Sequence, residues 1–167
     1  MTAPPDDETT LLALNQAFYR AFAAHDAEQM AAIWAKLAPV CCIHPGWPPL
    51  FGRDAVLEGW RRILQNPAQP PVEMLAPRVT LWGDVALVTC FERVEGQYLI
   101  ASNVFVREGK GWKLSHHQAG PVATPPPGAA SNDEPDDDLD ELDEDDLEDD
   151  DLEDDDDDLP PGSGTIH

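Results

Sequence analysis

The sequence has few basic residues, and none of them lies after Lys113. Only 10 of its 167 residues are Lys or Arg, against 33 Asp or Glu. Residues 1–128 hold all the basic residues and 12 acidic ones, whereas residues 129–167 hold the other 21 acidic residues. Direct binding of nucleic acid is disfavoured, because phosphate neutralisation needs clustered Lys and Arg. The net charge of −23 therefore describes the C-terminal segment, and residues 1–128 are nearly neutral.

Long apolar runs and paired cysteines are also missing. No run is long enough to span a membrane, and Met1 to Asp7 lacks the basic start and apolar stretch of a signal peptide. The three cysteines, two of them adjacent at Cys41 and Cys42, do not make a disulfide framework. We therefore expect a soluble protein of a reducing cytoplasm, with no membrane partner.

Composition divides the chain into a leader at residues 1–8, a domain at 9–122 and a C-terminal segment at 123–167. The domain is long enough to bury one hydrophobic core. The last segment begins with a proline-rich spacer and continues as an acidic tail with isolated leucines, so we expect it to be disordered. The tail is either a solubilising extension or an acidic segment that binds a basic protein.

Apolar spacing and capping residues predict three helices in the first half of the chain. Thr9 or Thr10 can cap the first helix, and Asp26 can cap the second. Arg53 to Gln65 form the third. The stripe of the second helix, which Pro39 ends, comprises Met30, Ile33, Trp34 and Leu37.

Strand patterns fill the rest of the domain. Val40 to Ile43 reads as a short buried strand, followed by a rigid Pro-rich loop. Four longer strands follow, at Val72–Leu81, Val85–Val94, Tyr98–Arg107 and Trp112–Ala119. The short turns between them predict an antiparallel meander. The overall prediction is an α+β fold in which a curled antiparallel sheet packs against three N-terminal helices.

The middle strands are apolar on both faces. Val88 and Cys90 point one way while Leu87 and Phe91 point the other. A sheet with one solvated face should alternate apolar and polar residues. One explanation is a strongly curled sheet that loops cover. The explanation we favour is a homodimer formed through the outer sheet face.

The order of these elements resembles the nuclear transport factor 2-like superfamily, and within it a SnoaL-like domain over roughly Thr9 to Val122. The resemblance implies a cone-shaped α+β barrel with a pocket between helices and sheet, often dimerised through the sheet, but it implies no particular reaction. The segments that carry it are Asn15–Phe22, Asp26, His44–Trp47, Gly52–Val56 with Trp60, Gly83–Ala86 and Gly111–Leu114 leading to His116 and His117.

Regular alternation along the last strand places His116 on the inner face with Trp112 and Leu114, and His117 on the outer face. His44 ends the short strand near the expected pocket mouth. The remaining predicted pocket walls are Trp47, Phe51, Trp60 and Trp112, which would favour a small apolar or aromatic ligand.

Two functions are compatible with this pocket. The favoured one is a non-catalytic module for small-molecule binding or dimerisation, in which His44 and His116 are structural. The alternative is a cofactor-independent isomerase, cyclase or dehydratase in which they transfer protons on a carbonyl-bearing ligand. Catalytic members of the superfamily commonly carry an Asp in the cone, and no Asp occupies a predicted inward strand position here. Glu92 is the nearest substitute, although a solvated partner for a nearby Arg fits it equally well.

A zinc site could use only one residue of each adjacent Cys or His pair, because neighbours on a strand face opposite sides. That leaves Cys42, His44 and His116, without the C-x-x-C spacing that marks strong zinc motifs. We therefore predict no metal and no cofactor.

Overall fold

The computed structural model describes residues 6–128, so the predicted acidic tail lies outside the described residues. Three helices and six strands make up this part of the chain. The α+β fold class is confirmed. In chain order the elements are α1 Asp7–Ala23, α2 Ala27–Ile33, β1 Cys41–Ile43, β2 Leu50–Phe51, α3 Arg53–Leu64, β3 Glu73–Trp82, β4 Val85–Val94, β5 Gln97–Glu108 and β6 Gly111–Pro121.

The first helix begins earlier than predicted. Asp6, and not Thr9 or Thr10, is its N-cap residue, because the Asp6 carboxylate accepts a 2.8 Å hydrogen bond from the backbone N–H of Thr9. The predicted cap of α2 is confirmed, since the Asp26 carboxylate accepts a 2.9 Å bond from the backbone N–H of Gln29. Both helices therefore start where a short acidic side chain satisfies a free N–H group.

The second helix ends at Ile33, so its predicted continuation to Leu37 is wrong. Trp34 leaves the helix and forms a parallel bridge to Leu114 on β6, and the N–H of Ala35 donates to the Leu114 carbonyl at 2.8 Å. The Glu108 carboxylate then accepts hydrogen bonds from the next three backbone N–H groups. Leu37 is 86% exposed as a result. Pairing with the sheet has overridden the helical apolar pattern.

The six strands form one open sheet in the order β2-β1-β6-β5-β4-β3. The predicted antiparallel meander is confirmed for β3 to β6. The sheet as a whole is mixed, however, because β1 pairs parallel to β6, with Cys42 opposite His117. The β2 strand, to which the sequence analysis assigned no element, is only two residues long. These two short strands extend the sheet past β6 and carry His44 towards the helices.

The core lies between the helices and the inner face of the curled sheet. On β4 and β5 the fully buried side chains are those of alternate residues, Ala86, Val88 and Cys90 on one strand and Ala101, Asn103 and Phe105 on the other. Within residues 6–128, no helix has the length and apolar character needed to cross a membrane.

Candidate functional site

A cavity of about 540 Å³ lies between α1, α3 and the inner face of the sheet. This volume is typical of a site for a small organic molecule. Aromatic rings form much of its wall: Phe18 lies edge-on to Trp60, with ring centroids 5.2 Å apart, and Trp60 lies edge-on to His44 at 4.6 Å. Helices α1 and α3 supply the first two rings, and the end of β1 supplies the imidazole.

His117, and not His116, lines the cavity, so the predicted orientation of these two histidines is wrong. In the β5–β6 ladder Phe105 pairs with Leu114 and Val104 pairs with His116, which leaves Ser115 unpaired in a β-bulge. An extra residue in a strand reverses the alternation beyond it. The buried residues of β6 are therefore Trp112 and Leu114 before the bulge, and His117 and Ala119 after it.

The bulge has a specific partner in the β1 region. The Ser115 hydroxyl donates a 2.7 Å hydrogen bond to the backbone carbonyl of Pro39. After the bulge, Cys41 pairs with His116 and Cys42 pairs with His117 in the parallel ladder. His117 is 3% exposed, whereas His116 lies half-buried on the other face of the strand.

Three of the six predicted pocket residues line the cavity, namely His44, Trp47 and Trp60. Phe51 does not, because it lies on the edge strand β2 and is 70% exposed. Trp112 is buried elsewhere: its indole N–H donates to Asp7 at the start of α1 at 2.9 Å, and the Arg107 guanidinium lies 4.3 Å from its ring centroid. Trp112 thus anchors the N-terminus of α1.

A carboxyl group whose position, in the pocket or in solvent, the sequence analysis left open lies in the cavity wall. Glu92 is buried and accepts a 2.8 Å hydrogen bond from the Tyr19 hydroxyl. Burial raises the pKa of Glu92, and the Tyr19 hydrogen bond partly offsets this rise. The same burial, together with the nearby Glu92 charge, raises the pKa of Tyr19. Of the two alternatives for Glu92, the solvated partner of a nearby Arg is therefore wrong. Its phase with Val88 and Cys90 was the sequence signal for its inward position.

The two cavity histidines are held in the neutral form. Burial lowers the pKa of His44 to about 4. Burial and the neighbouring His44 and His116 lower the pKa of His117 to about 3. Their ring centroids are 6.4 Å apart. At neutral pH both rings can accept a proton or a hydrogen bond through one nitrogen.

The three residues considered as zinc ligands do not come together, because His116 lies on the opposite face of the strand from Cys42 and His44. Cys42 Sγ lies 3.6 Å from His44 Nε2, and burial raises the pKa of the Cys42 thiol to about 12. The thiol is therefore an unreactive core group. Among residues 6–128, no cluster of three or more Cys, His, Asp or Glu side chains is placed to hold a metal ion.

Comparison with known proteins identifies the fold family. Residues 11–124 match the family model of the SnoaL-like domain. A proposed dehydratase of the NTF2-like family from Streptomyces avermitilis is 36% identical over 71% of this chain and 97% of its own, with a TM-score of 0.64. No curated protein matches the chain at a significant level.

Two further solved structures with other proposed functions share this fold. A proposed calcium/calmodulin-dependent protein kinase type II association domain from Thiobacillus denitrificans is 33% identical over 68% of this chain and 95% of its own, with a TM-score of 0.58. A proposed ketosteroid isomerase from Parabacteroides distasonis is 15% identical over 71% and 89%, also with a TM-score of 0.58, and so shows the fold alone. The chain belongs to the SnoaL-like domain family of the nuclear transport factor 2-like superfamily.

Proposed function

We propose that the domain binds a small, largely aromatic or apolar molecule in the cavity. The observation that carries this proposal is the combination of an aromatic wall with buried polar groups that face the same space. Phe18 and Trp60 supply ring surface, while Glu92, His44 and His117 supply hydrogen-bonding groups. A concave apolar site with a few converging polar groups is the usual form of a small-molecule site.

A second function, acid–base catalysis on the bound molecule, is favoured by Glu92. Its raised pKa, its hydrogen bond from Tyr19 and its place in the cavity are typical of a group that moves a proton. The similarity to a proposed dehydratase supports this alternative. Glu92 would exchange the proton, and the neutral imidazole of His44 or His117 would orient the ligand or accept a second proton.

Native mass spectrometry of the purified full chain, followed by extraction and identification of any bound molecule, tests the two functions. The binding proposal expects a molecule that is lost in Trp60→Ala and is recovered chemically unchanged after incubation with fresh protein. If the native chain instead converts that molecule, Glu92→Gln should abolish conversion while binding persists. That result would favour the enzymatic function over the non-catalytic one. Binding that survives unchanged in Trp60→Ala would contradict both, because it would place the molecule outside the cavity.

We also propose that the domain forms a homodimer through the outer face of the sheet. Leu87 pairs with Val104 across β4 and β5, and Phe91 pairs with Ile100, so this face carries adjacent apolar pairs. Ile100 is 39% exposed. The similarity to a proposed association domain supports this assembly. Sedimentation of the domain as a monomer at micromolar concentration would contradict it.

For the acidic segment 129–167 we propose a basic protein partner. The proposal rests on its 21 acidic residues and its lack of Lys and Arg. Such binding should weaken steeply as salt is raised, because dissolved ions screen the attraction between opposite charges. Removal of residues 129–167 should abolish binding of a basic probe such as polylysine, and retained binding would contradict the proposal.

A further inference from the structure

A continuous chain of buried side chains joins the two sides of the cavity. It begins at His117 on β6, passes through Asn103 on β5 and Asn15 on α1, and continues through the Cys90 thiol to Tyr19 and Glu92. Asn15, Asn103, Cys90, Tyr19, Glu92 and His117 are all buried. Both ends of this series, His117 and Glu92, line the cavity.

Every hydrogen bond in this series of side chains is donated in the direction of Glu92. The Tyr19 hydroxyl donates to Glu92 Oε1 at 2.8 Å, so its oxygen, 3.2 Å from Cys90 Sγ, accepts from the thiol. Asn15 Nδ2 points to the same sulfur at 3.9 Å, which leaves Asn15 Oδ1 to accept the 2.7 Å bond from Asn103 Nδ2. The Cys90 sulfur therefore fixes which way the Asn15 amide points, and Asn15 in turn fixes the Asn103 amide.

The orientation of Asn103 decides which nitrogen of His117 carries the proton. With its amide nitrogen bound to Asn15, Asn103 presents Oδ1 to His117 Nδ1 at 2.6 Å. An amide oxygen only accepts hydrogen bonds, so Nδ1 must donate. A neutral imidazole has one N–H, so Nε2 carries a lone pair. The lowered pKa of His117 keeps the ring neutral at pH 7.

The lone pair of Nε2 is left for an occupant of the cavity. Nε2 makes no hydrogen bond to any residue in the range 6–128, although the side chain is 97% buried and lines the cavity. Phe18 and Trp60 flank the ring, with centroids 4.9 and 5.6 Å from it, and they offer apolar surface around this one acceptor. A buried acceptor without a donor is costly, so an occupant that lacks a donor should bind less well.

We propose that His117 Nε2 is a fixed hydrogen-bond acceptor that selects aromatic ligands carrying a hydroxyl or N–H donor, and that Asn15 and Asn103 are positioning residues that hold its tautomer. The ligand class rests on the proposed binding function of the cavity, whereas the tautomer does not. The role of His117 in selectivity follows from the direction of these hydrogen bonds and from the position of His117 in the cavity wall.

The tautomer is tested on the full chain by ¹⁵N NMR with ¹⁵N-labelled histidine at neutral pH. We expect His117 to show a protonated Nδ1 and an unprotonated Nε2, and the signals to be assigned by their loss in His117→Gln. The control His116→Gln replaces the adjacent ring on the opposite face and should leave them in place. A protonated Nε2 in the native chain would overturn the proposal.

Ligand selection is tested with two probes of matched shape, 2-naphthol and 2-methoxynaphthalene, which lacks the O–H donor. We expect 2-naphthol to bind at least about tenfold more tightly to the native chain, and the ratio to fall towards one in Asn103→Leu but not in His116→Gln. Equal binding of both probes would leave the cavity function standing and overturn the acceptor role. Binding of neither would overturn the proposed function itself.

Discussion

The hydroxyl of Tyr19 on α1 donates a 2.8 Å hydrogen bond to Glu92 on β4, and both side chains are buried in the wall of the same cavity. This contact puts a carboxyl group into a surrounding of aromatic rings. It is the feature that separates a simple apolar pocket from one that can recognise, or act on, a polar group of its ligand. The protonation state of Glu92 can be tested through its effect on stability.

Glu92→Gln should stabilise the domain at neutral pH. Because burial raises the pKa of Glu92 in the folded state, its contribution to the free energy of unfolding is full below its ordinary pKa of 4.5 and is lost as the pH rises through the folded value. Gln keeps an oxygen for the Tyr19 hydroxyl and does not ionise. Urea unfolding at several pH values should show a stability advantage of the variant that grows from pH 4.5 upwards. Parallel curves for the two proteins would contradict this.

His44→Phe should reduce the decrease in unfolding free energy that occurs as the pH falls from 6.5 towards 4. The folded-state pKa of His44 is lowered to about 4, so the unfolded chain binds this proton first, and stability falls as the pH drops from 6.5 towards 4. The slope is about 1.4 kcal/mol per pH unit for one such group. Glu92 acts in the opposite sense, so the comparison must be made between variant and native chain. Equal slopes in urea unfolding would show that His44 does not take part.

Trp60→Ala should cost about 3–5 kcal/mol of unfolding free energy, because Trp60 is 3% exposed and packs on Phe18, Phe22 and His44. Trp82→Ala is the matched control, since Trp82 is 59% exposed, and its cost should stay within about 0.5 kcal/mol. Urea unfolding at pH 7 measures both. A similar cost for the two variants would mean that the ring cluster around Trp60 is not part of the core.

Ile100→Glu should convert the proposed dimer to a monomer, because it places a charge among the apolar pairs of the outer sheet face. Leu37→Glu is the control, since Leu37 is an exposed apolar residue outside the sheet. Sedimentation velocity of the three proteins at equal concentration gives the comparison. An unchanged sedimentation coefficient for Ile100→Glu would rule out this face as the interface.

The presence of three helices and four long strands could be predicted from spacing, because each pattern depends on residues close in sequence. The end of α2 could not, since it depends on pairing with β6. The mixed sheet could not, since the pairing of β1 with β6 joins segments more than 70 residues apart. The inward position of His117 was missed for a related reason. The bulge at Ser115 coincides with a hydrogen bond to Pro39 and a register shift against β5, two long-range features that an alternating sequence pattern does not reveal.

The most direct test of the central claim is to follow 2-naphthol binding by ¹H–¹⁵N NMR of the full chain. The five tryptophans provide internal controls, because Trp60 lines the cavity whereas Trp82 and Trp112 do not. The account predicts saturable shifts of the Trp60 indole and of the His117 ring nitrogens, with the Trp82 and Trp112 indoles unmoved. Shifts confined to Trp82, or no saturable shift at Trp60 and His117, would contradict it.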